Sequence, residues 1–113
     1  MKIVALAAIV AALTASSAVA ATPTLNGTVG PGFTITLKQG SAKVSKMKAG
    51  SYKFVISDKS SIHNFHLKGP GIDRKTSVGG TGTTTWTVKL QAGKYTYVCD
   101  PHASFMKGSF TVS

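Results

Sequence analysis

Short runs in which polar and apolar residues alternate constrain the fold of this chain more than any other feature of its sequence. Residues 83–90 are the clearest case, because Trp86, Val88 and Leu90 share one parity and polar side chains share the other. A period of two is typical of half-buried strands. Further short strands are predicted at residues 33–37, 42–44, 52–56, 62–67, 95–99 and 107–112. Turns separate these runs and no helical periodicity follows residue 20, so we predict an all-β sandwich or barrel of about seven to eight strands.

Two segments carry no clear strand pattern. Residues 22–27 are interpreted as a short lead-in to the first strand. Residues 72–82 are rich in Gly, Ser and Thr and are predicted to form a loop.

The first 20 residues have the organisation of a secretory signal. Lys2 precedes an apolar run at residues 3–13, and a small-residue motif ends at Ala20. An uncleaved membrane anchor is the alternative, but the run is shorter than the roughly 20 residues that a spanning helix needs. We predict a signal peptide over residues 1–20 and one domain over residues 21–113. The mature protein is then periplasmic or secreted, with no stable membrane insertion.

The chain is strongly basic. Its 13 Lys and Arg residues outnumber 3 acidic residues, which gives a formal net charge of +10 at pH 7. Such a charge attracts anionic partners. The lysines are scattered and lack the interleaved aromatic residues that stack on single-stranded nucleic acid. We therefore expect acidic partner proteins and no nucleic acid, and we expect the protein to be a monomer.

Cys99 is the only cysteine, so it cannot form an internal disulfide. His102 and Met106 follow it closely, and Pro101 forces the chain to turn between them because proline cannot continue a strand inside a sheet. A thiolate, an imidazole and a thioether are ligand types that favour copper. A second histidine would complete a His2Cys site with a weak axial methionine.

Two upstream histidines compete for the remaining position. His63 shares the parity of Phe65 and is expected to point inward, whereas His66 lies on the opposite parity and is predicted to be a surface residue. Met106 has core filling as an alternative role, since methionine adapts to irregular gaps. The predicted metal ligands are His63, Cys99, His102 and Met106.

The segment CDPHASFM, residues 99–106, resembles the ligand loop of the small blue copper proteins, the cupredoxins, in their plastocyanin and pseudoazurin pattern. The pair His63-Asn64 resembles the first-ligand motif of that family. The resemblance implies a Greek-key β-sandwich with one type 1 copper ion, in which Met106 is the axial ligand. It also implies that Asn64 ties the two ligand loops together. The three residues between His102 and Met106 are one fewer than in plastocyanins and pseudoazurins, and more than in amicyanin.

A rigid β-scaffold that holds such ligands suits an electron relay. The leading hypothesis is an exported mononuclear copper protein that passes one electron between redox partners through His102. The edge of this ring is expected to emerge in an apolar patch of Phe33, Pro70, Pro101, Ala103 and Phe105. A copper carrier with the same ligands and a metal-free basic binding module are the alternatives. No orienting acid or amide is evident beside Cys99 and His102, so we expect no enzyme activity and no catalytic residues.

Overall fold

A computed structural model describes residues 21–113, and the predicted signal peptide lies outside the described residues. Ten strands in this part of the chain form two five-stranded sheets. They are β1 (Thr24–Val29), β2 (Ile35–Gln39), β3 (Ala42–Lys43), β4 (Lys46–Met47), β5 (Gly50–Asp58), β6 (His66–Gly69), β7 (Ile72–Lys75), β8 (Gly82–Leu90), β9 (Gly93–Val98) and β10 (Lys107–Val112). One 3-10 turn, Asp100–His102, lies between β9 and β10.

The first sheet has the order β3-β2-β1-β5-β8 and the second has the order β4-β10-β9-β6-β7. Two strand pairs, β1 with β5 and β10 with β4, are parallel, and the other neighbours are antiparallel. The predicted all-β sandwich is confirmed. Over residues 21–113 the chain forms no helix of the length and apolar character that crossing a bilayer requires.

Three of the strands are not predicted by the sequence pattern. In β1 the inward position between Leu25 and Val29 is occupied by Gly27, whose missing side chain makes room for Phe65 at 3.1 Å from the place of a Cβ atom. The glycine interrupts the apolar alternation, so the lead-in interpretation is wrong. The loop prediction for residues 72–82 is also wrong at its start, because β7 pairs with β6 there. The third, β4, is only two residues long.

The core lies between the two sheets and is rich in aromatic rings. Phe65 stacks on Tyr97 with ring centres 5.5 Å apart, and Tyr95 stacks on Phe110 at 5.1 Å. Trp86, on the apolar parity of residues 83–90, is 4% exposed. Burial raises the pKa of Tyr97, which therefore stays a neutral core residue. Because each aromatic pair contributes roughly 0.5–1.5 kcal/mol beyond area burial, these stacks stabilise β9.

Three loops meet at one end of the sandwich. The loop of residues 30–34 joins β1 to β2, the loop of residues 59–65 joins β5 to β6, and the loop of residues 99–106 joins β9 to β10. The pairing of Val29 with Asp58 brings the first two loops to the same edge of the first sheet. The third crosses the matching end of the second sheet, so side chains from both sheets converge there.

Candidate metal centre

The side chains of His63, Cys99 and His102 come together at this end of the sandwich. The Cys99 sulfur lies 3.6 Å from Nδ1 of each imidazole, and the two Nδ1 atoms are 3.2 Å apart. The circumradius of a triangle with these sides is about 2.0 Å, close to the bond lengths of about 2.0 Å to nitrogen and about 2.3 Å to sulfur that zinc forms with such ligands. Three electron-pair donors therefore surround a point that fits one first-row metal ion.

His63 is held from behind in the orientation that the site requires. The residue is fully buried, and its Nε2 lies 3.0 Å from the carbonyl oxygen of Gly32. A carbonyl only accepts, so Nε2 carries the proton and Nδ1 keeps its lone pair for the centre of the site. The residue precedes β6 rather than lying within a strand, although its predicted inward direction is correct.

The segment from Cys99 to Met106 is closed by its own backbone. The Cys99 N–H donates to the carbonyl of Met106 at 3.0 Å, and the His102 N–H donates to the carbonyl of Cys99 at 3.0 Å. The Met106 N–H donates to the carbonyl of His102 at 2.8 Å. Pro101 is the second residue of the 3-10 turn, where its fixed φ is favourable and its missing N–H costs nothing. Cys99 is fully buried, Met106 is 1% exposed, and His102 is only half-buried.

Asn64 links the two ligand loops, as the resemblance implies. Its Oδ1 accepts from the Asp100 N–H at 2.8 Å, and its Nδ2 donates to the Asp100 carboxylate at 2.7 Å. The same Nδ2 donates to the carbonyl of Thr76 at 3.2 Å. Since Asn64 follows His63 and Asp100 follows Cys99, the hydrogen bonds hold two of the converging donors in a fixed relation.

His66 is not the surface residue that its parity predicts. It does point to the outer face of β6, but it is only 7% exposed because two carboxylates cover it. Its Nδ1 lies 2.7 Å from Oδ1 of Asp100, and its Nε2 contacts Oδ1 of Asp73. Burial alone would raise the pKa of Asp100, but hydrogen bonds from His66 and Asn64 hold it below its usual range. The hydrogen bond to His66 likewise lowers the pKa of Asp73.

Two exposed phenylalanines form the rim of the site. Phe33 and Phe105 are each 58% exposed, and their ring centres lie 5.1 and 5.6 Å from that of His102. The half-buried imidazole therefore reaches the surface between apolar rings. Pro70 does not belong to this rim, contrary to prediction, because it packs beside Gly93 at the opposite end of β9.

Four contributors to this region are absent from the sequence prediction, namely the carbonyls of Gly32 and Thr76 and the carboxylates of Asp73 and Asp100. The first two act through backbone atoms, which leave no side-chain signal. Asp73 lies in a segment with one apolar residue, so no alternation indicates that its strand pairs with β6.

Comparisons with known proteins show the family of the chain. The family model described as "Cupredoxin-like domain" matches residues 2–112. Amicyanin-alpha of Methylorubrum extorquens is 34% identical, with 99% of each chain covered.

Solved structures share the fold. Reduced rusticyanin superposes with a TM-score of 0.63 at 23% identity, covering 81% of this chain and 79% of that one. A variant of amicyanin described as Cu(I) gives a TM-score of 0.53 at 18% identity, covering 80% and 83%. On the extent of the family match and the identity to amicyanin-alpha, the chain belongs to the cupredoxin-like family.

Proposed function

We propose that the protein binds one type 1 copper ion and carries single electrons between redox partners. The observation that carries this proposal is the convergence of one thiolate and two imidazole nitrogens on a single point. A His2Cys set of this kind, with a weak axial methionine, is the ligand set of blue copper electron-transfer sites. Met106 is the proposed axial ligand, since it is buried at the end of the ligand loop.

The protein scaffold limits rearrangement around the metal. His63 is fixed by Gly32, Cys99 is fixed by the backbone bonds of its own loop, and Asn64 links the two. A bound copper ion would supply the one-electron change, and these residues would keep His63 and Cys99 in nearly constant positions. This is a requirement for a relay, so the proposed role is that of an electron carrier.

His102 is the proposed point of electron entry and exit. Among the three converging donors it is the one that is half-buried, and the other two are fully buried. The apolar rim of Phe33 and Phe105 gives a partner a surface that can exclude water around the imidazole edge. A close dry contact of this kind shortens the distance between the two redox centres.

Acidic redox proteins are the proposed partners. Within residues 21–113 the only salt bridges are those of His66, so no lysine there is paired with a carboxylate. Lys107 directly follows Met106, and with Lys43 and Lys94 it lines a cavity on the outer face of β9 and β10. Lysines without carboxylate partners attract acidic surfaces and raise the encounter rate at low salt, and Lys107 places one such charge beside the ligand loop.

The proposed location is the periplasm or the exterior of the cell, after removal of residues 1–20. The signal-like sequence supports this proposal. N-terminal sequencing of the exported protein tests it, and a mature chain beginning at Met1 would contradict it.

Titration of the purified protein with Cu(II) tests the function. We expect an intense visible thiolate-to-copper absorption that saturates at one ion per chain and is abolished in Cys99→Ser. Reversible voltammetry with copper retained is expected of a relay. Rapid loss of Cu(I) to a soluble acceptor would instead identify a copper carrier. Absence of the visible band in wild type, together with an anion-binding activity that Cys99→Ser retains in full, would identify a metal-free binding module.

A further inference from the structure

His66 occupies an unusual place for a side chain on the outer face of an antiparallel pair. It is 7% exposed, while the carboxylates that flank it, those of Asp73 and Asp100, are 70% and 38% exposed. Both ring nitrogens face carboxylate oxygens, and carboxylates only accept. The ring donates one hydrogen bond to these carboxylates in its neutral form and two in its protonated form, and bonds to an ionised carboxylate are about twice as strong as bonds between neutral groups.

The bond from His66 completes the fixation of Asp100. The Oδ2 atom and the backbone N–H of Asp100 are already bonded to Asn64, and Oδ1 is bonded to His66. A carboxylate held at both oxygens cannot rotate, and its backbone is held as well. Because Cys99 is the preceding residue, its carbonyl and the direction of its side chain are fixed by the same contacts.

The contacts extend further, to the edge of the second sheet. His66 is paired with Val98 on one side and with Lys75 on the other, so it lies on the strand between β9 and β7. Asp73 comes from β7, which is the edge strand. One continuous series of hydrogen bonds therefore runs from the first ligand loop, across the second, to that edge strand. Its members are Asn64, Asp100, His66 and Asp73.

We propose that His66 is a positioning residue for Cys99, acting through Asp100 and supported by Asp73. Asn64 alone joins the two loops to each other, whereas His66 joins the Cys99 loop to the body of the sheet. Without His66, Asp100 can pivot about the Asn64 contacts, and the sulfur can shift relative to the two imidazole nitrogens. The significance of this shift for the reduction potential rests on the proposed copper function.

The first test uses metal-free protein and does not depend on copper. Hydrogen exchange of the Asp100 N–H is compared in wild type, His66→Leu, His66→Gln and Asp73→Asn. Loss of a charged hydrogen bond is expected to reduce protection about tenfold to a hundredfold in His66→Leu. His66→Gln keeps one donor and is expected to retain part of the protection. Lys68→Gln is the matched control, because it removes a positive charge from the same strand without a contact to Asp100.

The second test uses the copper-loaded protein. Replacing the imidazole weakens the hydrogen bonding to Oδ1 of Asp100, which leaves more negative charge on this carboxylate beside Cys99 and favours Cu(II). We expect His66→Gln to raise the Cu(II)/Cu(I) ratio at a fixed potential at least about threefold, which is a decrease of about 28 mV in the reduction potential at 59 mV per decade. We also expect it to shift the thiolate-to-copper band. Lys68→Gln is expected to change either quantity less.

The outcomes distinguish a failure of the proposed copper function from a failure of the proposed role of His66. If wild type shows no visible copper band, the proposed function fails, but the exchange data still decide whether His66 positions the loop. If the Asp100 exchange in all His66 and Asp73 variants matches that of Lys68→Gln, His66 does not position Cys99 and the inference is overturned. The Gln and Asn variants keep this test available even if His66→Leu does not fold.

Discussion

The contact between Gly108 and Tyr97 gives the sharpest test of how the core sets the site. Gly108 pairs with Tyr97 across β10 and β9. A Cβ atom at Gly108 would lie 2.3 Å from both Cζ and Oη of the tyrosine and 2.5 Å from Cε2. Carbon atoms in contact lie about 3.5–4.0 Å apart, so Gly108→Ala creates an overlap of more than about 1 Å. Tyr97 is 1% exposed and stacked on Phe65, so its ring cannot move aside.

The expected cost of Gly108→Ala is about 2 kcal/mol of unfolding free energy, within the range of about 1–3 kcal/mol for an overpacked core. The backbone at Gly108 is not in the left-handed region, so the cost is steric. Urea unfolding of the metal-free protein measures it. Gly79→Ala is the control, because no heavy atom lies within 4 Å of its added Cβ, and it is expected to change stability by less than about 1 kcal/mol.

A second variant isolates the clash itself. In a Tyr97→Leu background the ring atoms that meet the new methyl group are gone, so Gly108→Ala is expected to cost at least about 1 kcal/mol less than in wild type. The reasoning is refuted if Gly108→Ala is as stable as Gly79→Ala, or if its cost is the same in both backgrounds. Since β10 begins directly after Met106, the clash is also expected to shift the thiolate-to-copper band.

Three further predictions concern the site. Asn64→Ala leaves the Asp100 N–H without its partner and is expected to cost about 2–4 kcal/mol in urea unfolding; a cost below about 1 kcal/mol, comparable to that of the exposed control Asn26→Ala, would contradict it. Asp73 has a lowered pKa when folded, so its stabilisation is present above the unfolded pKa and is lost as the pH falls below about 4. The stability gap between wild-type and Asp73→Asn metal-free protein should therefore close in acid, and a gap independent of pH would argue against the ion pair. Phe33→Ser removes edge contacts to both imidazoles, each worth roughly 0.5–1.5 kcal/mol, and should speed copper release to a chelator about tenfold. Ile62→Ser, at another exposed apolar residue, should not, and equal rates in the two variants would count against a protective role for Phe33.

Most of the sandwich could be predicted because its longer strands bury one face and expose the other. β5 and β8 pair along their whole length, and their alternation is visible in the sequence. β1 is not predicted because Gly27 occupies one of its inward positions. The space that a side chain would take there is filled by the ring of Phe65, which comes from another loop. That exchange of volume between distant segments has no local signature.

The convergence of His63, Cys99 and His102 could be predicted because their residue types are rare in this chain and chemically specific. Parity correctly indicates that His66 points away from the core, but not that it is buried. Its burial depends on Asp73 and Asp100, which lie 7 and 34 residues away and approach only after β6 pairs with both β7 and β9. Polar partners brought together by sheet register cannot be read from alternation.

The unpaired lysines also govern how two copies of this protein meet. Both molecules carry the same excess of positive charge, so electron exchange between an oxidised and a reduced copy begins with repulsion. Added salt shortens the range of that repulsion to about 10 Å at 0.1 M, and the bimolecular self-exchange rate should rise with ionic strength. Exchange with an acidic partner should fall over the same range, so ionic strength alone would redirect electrons from the partner towards other copies of the carrier.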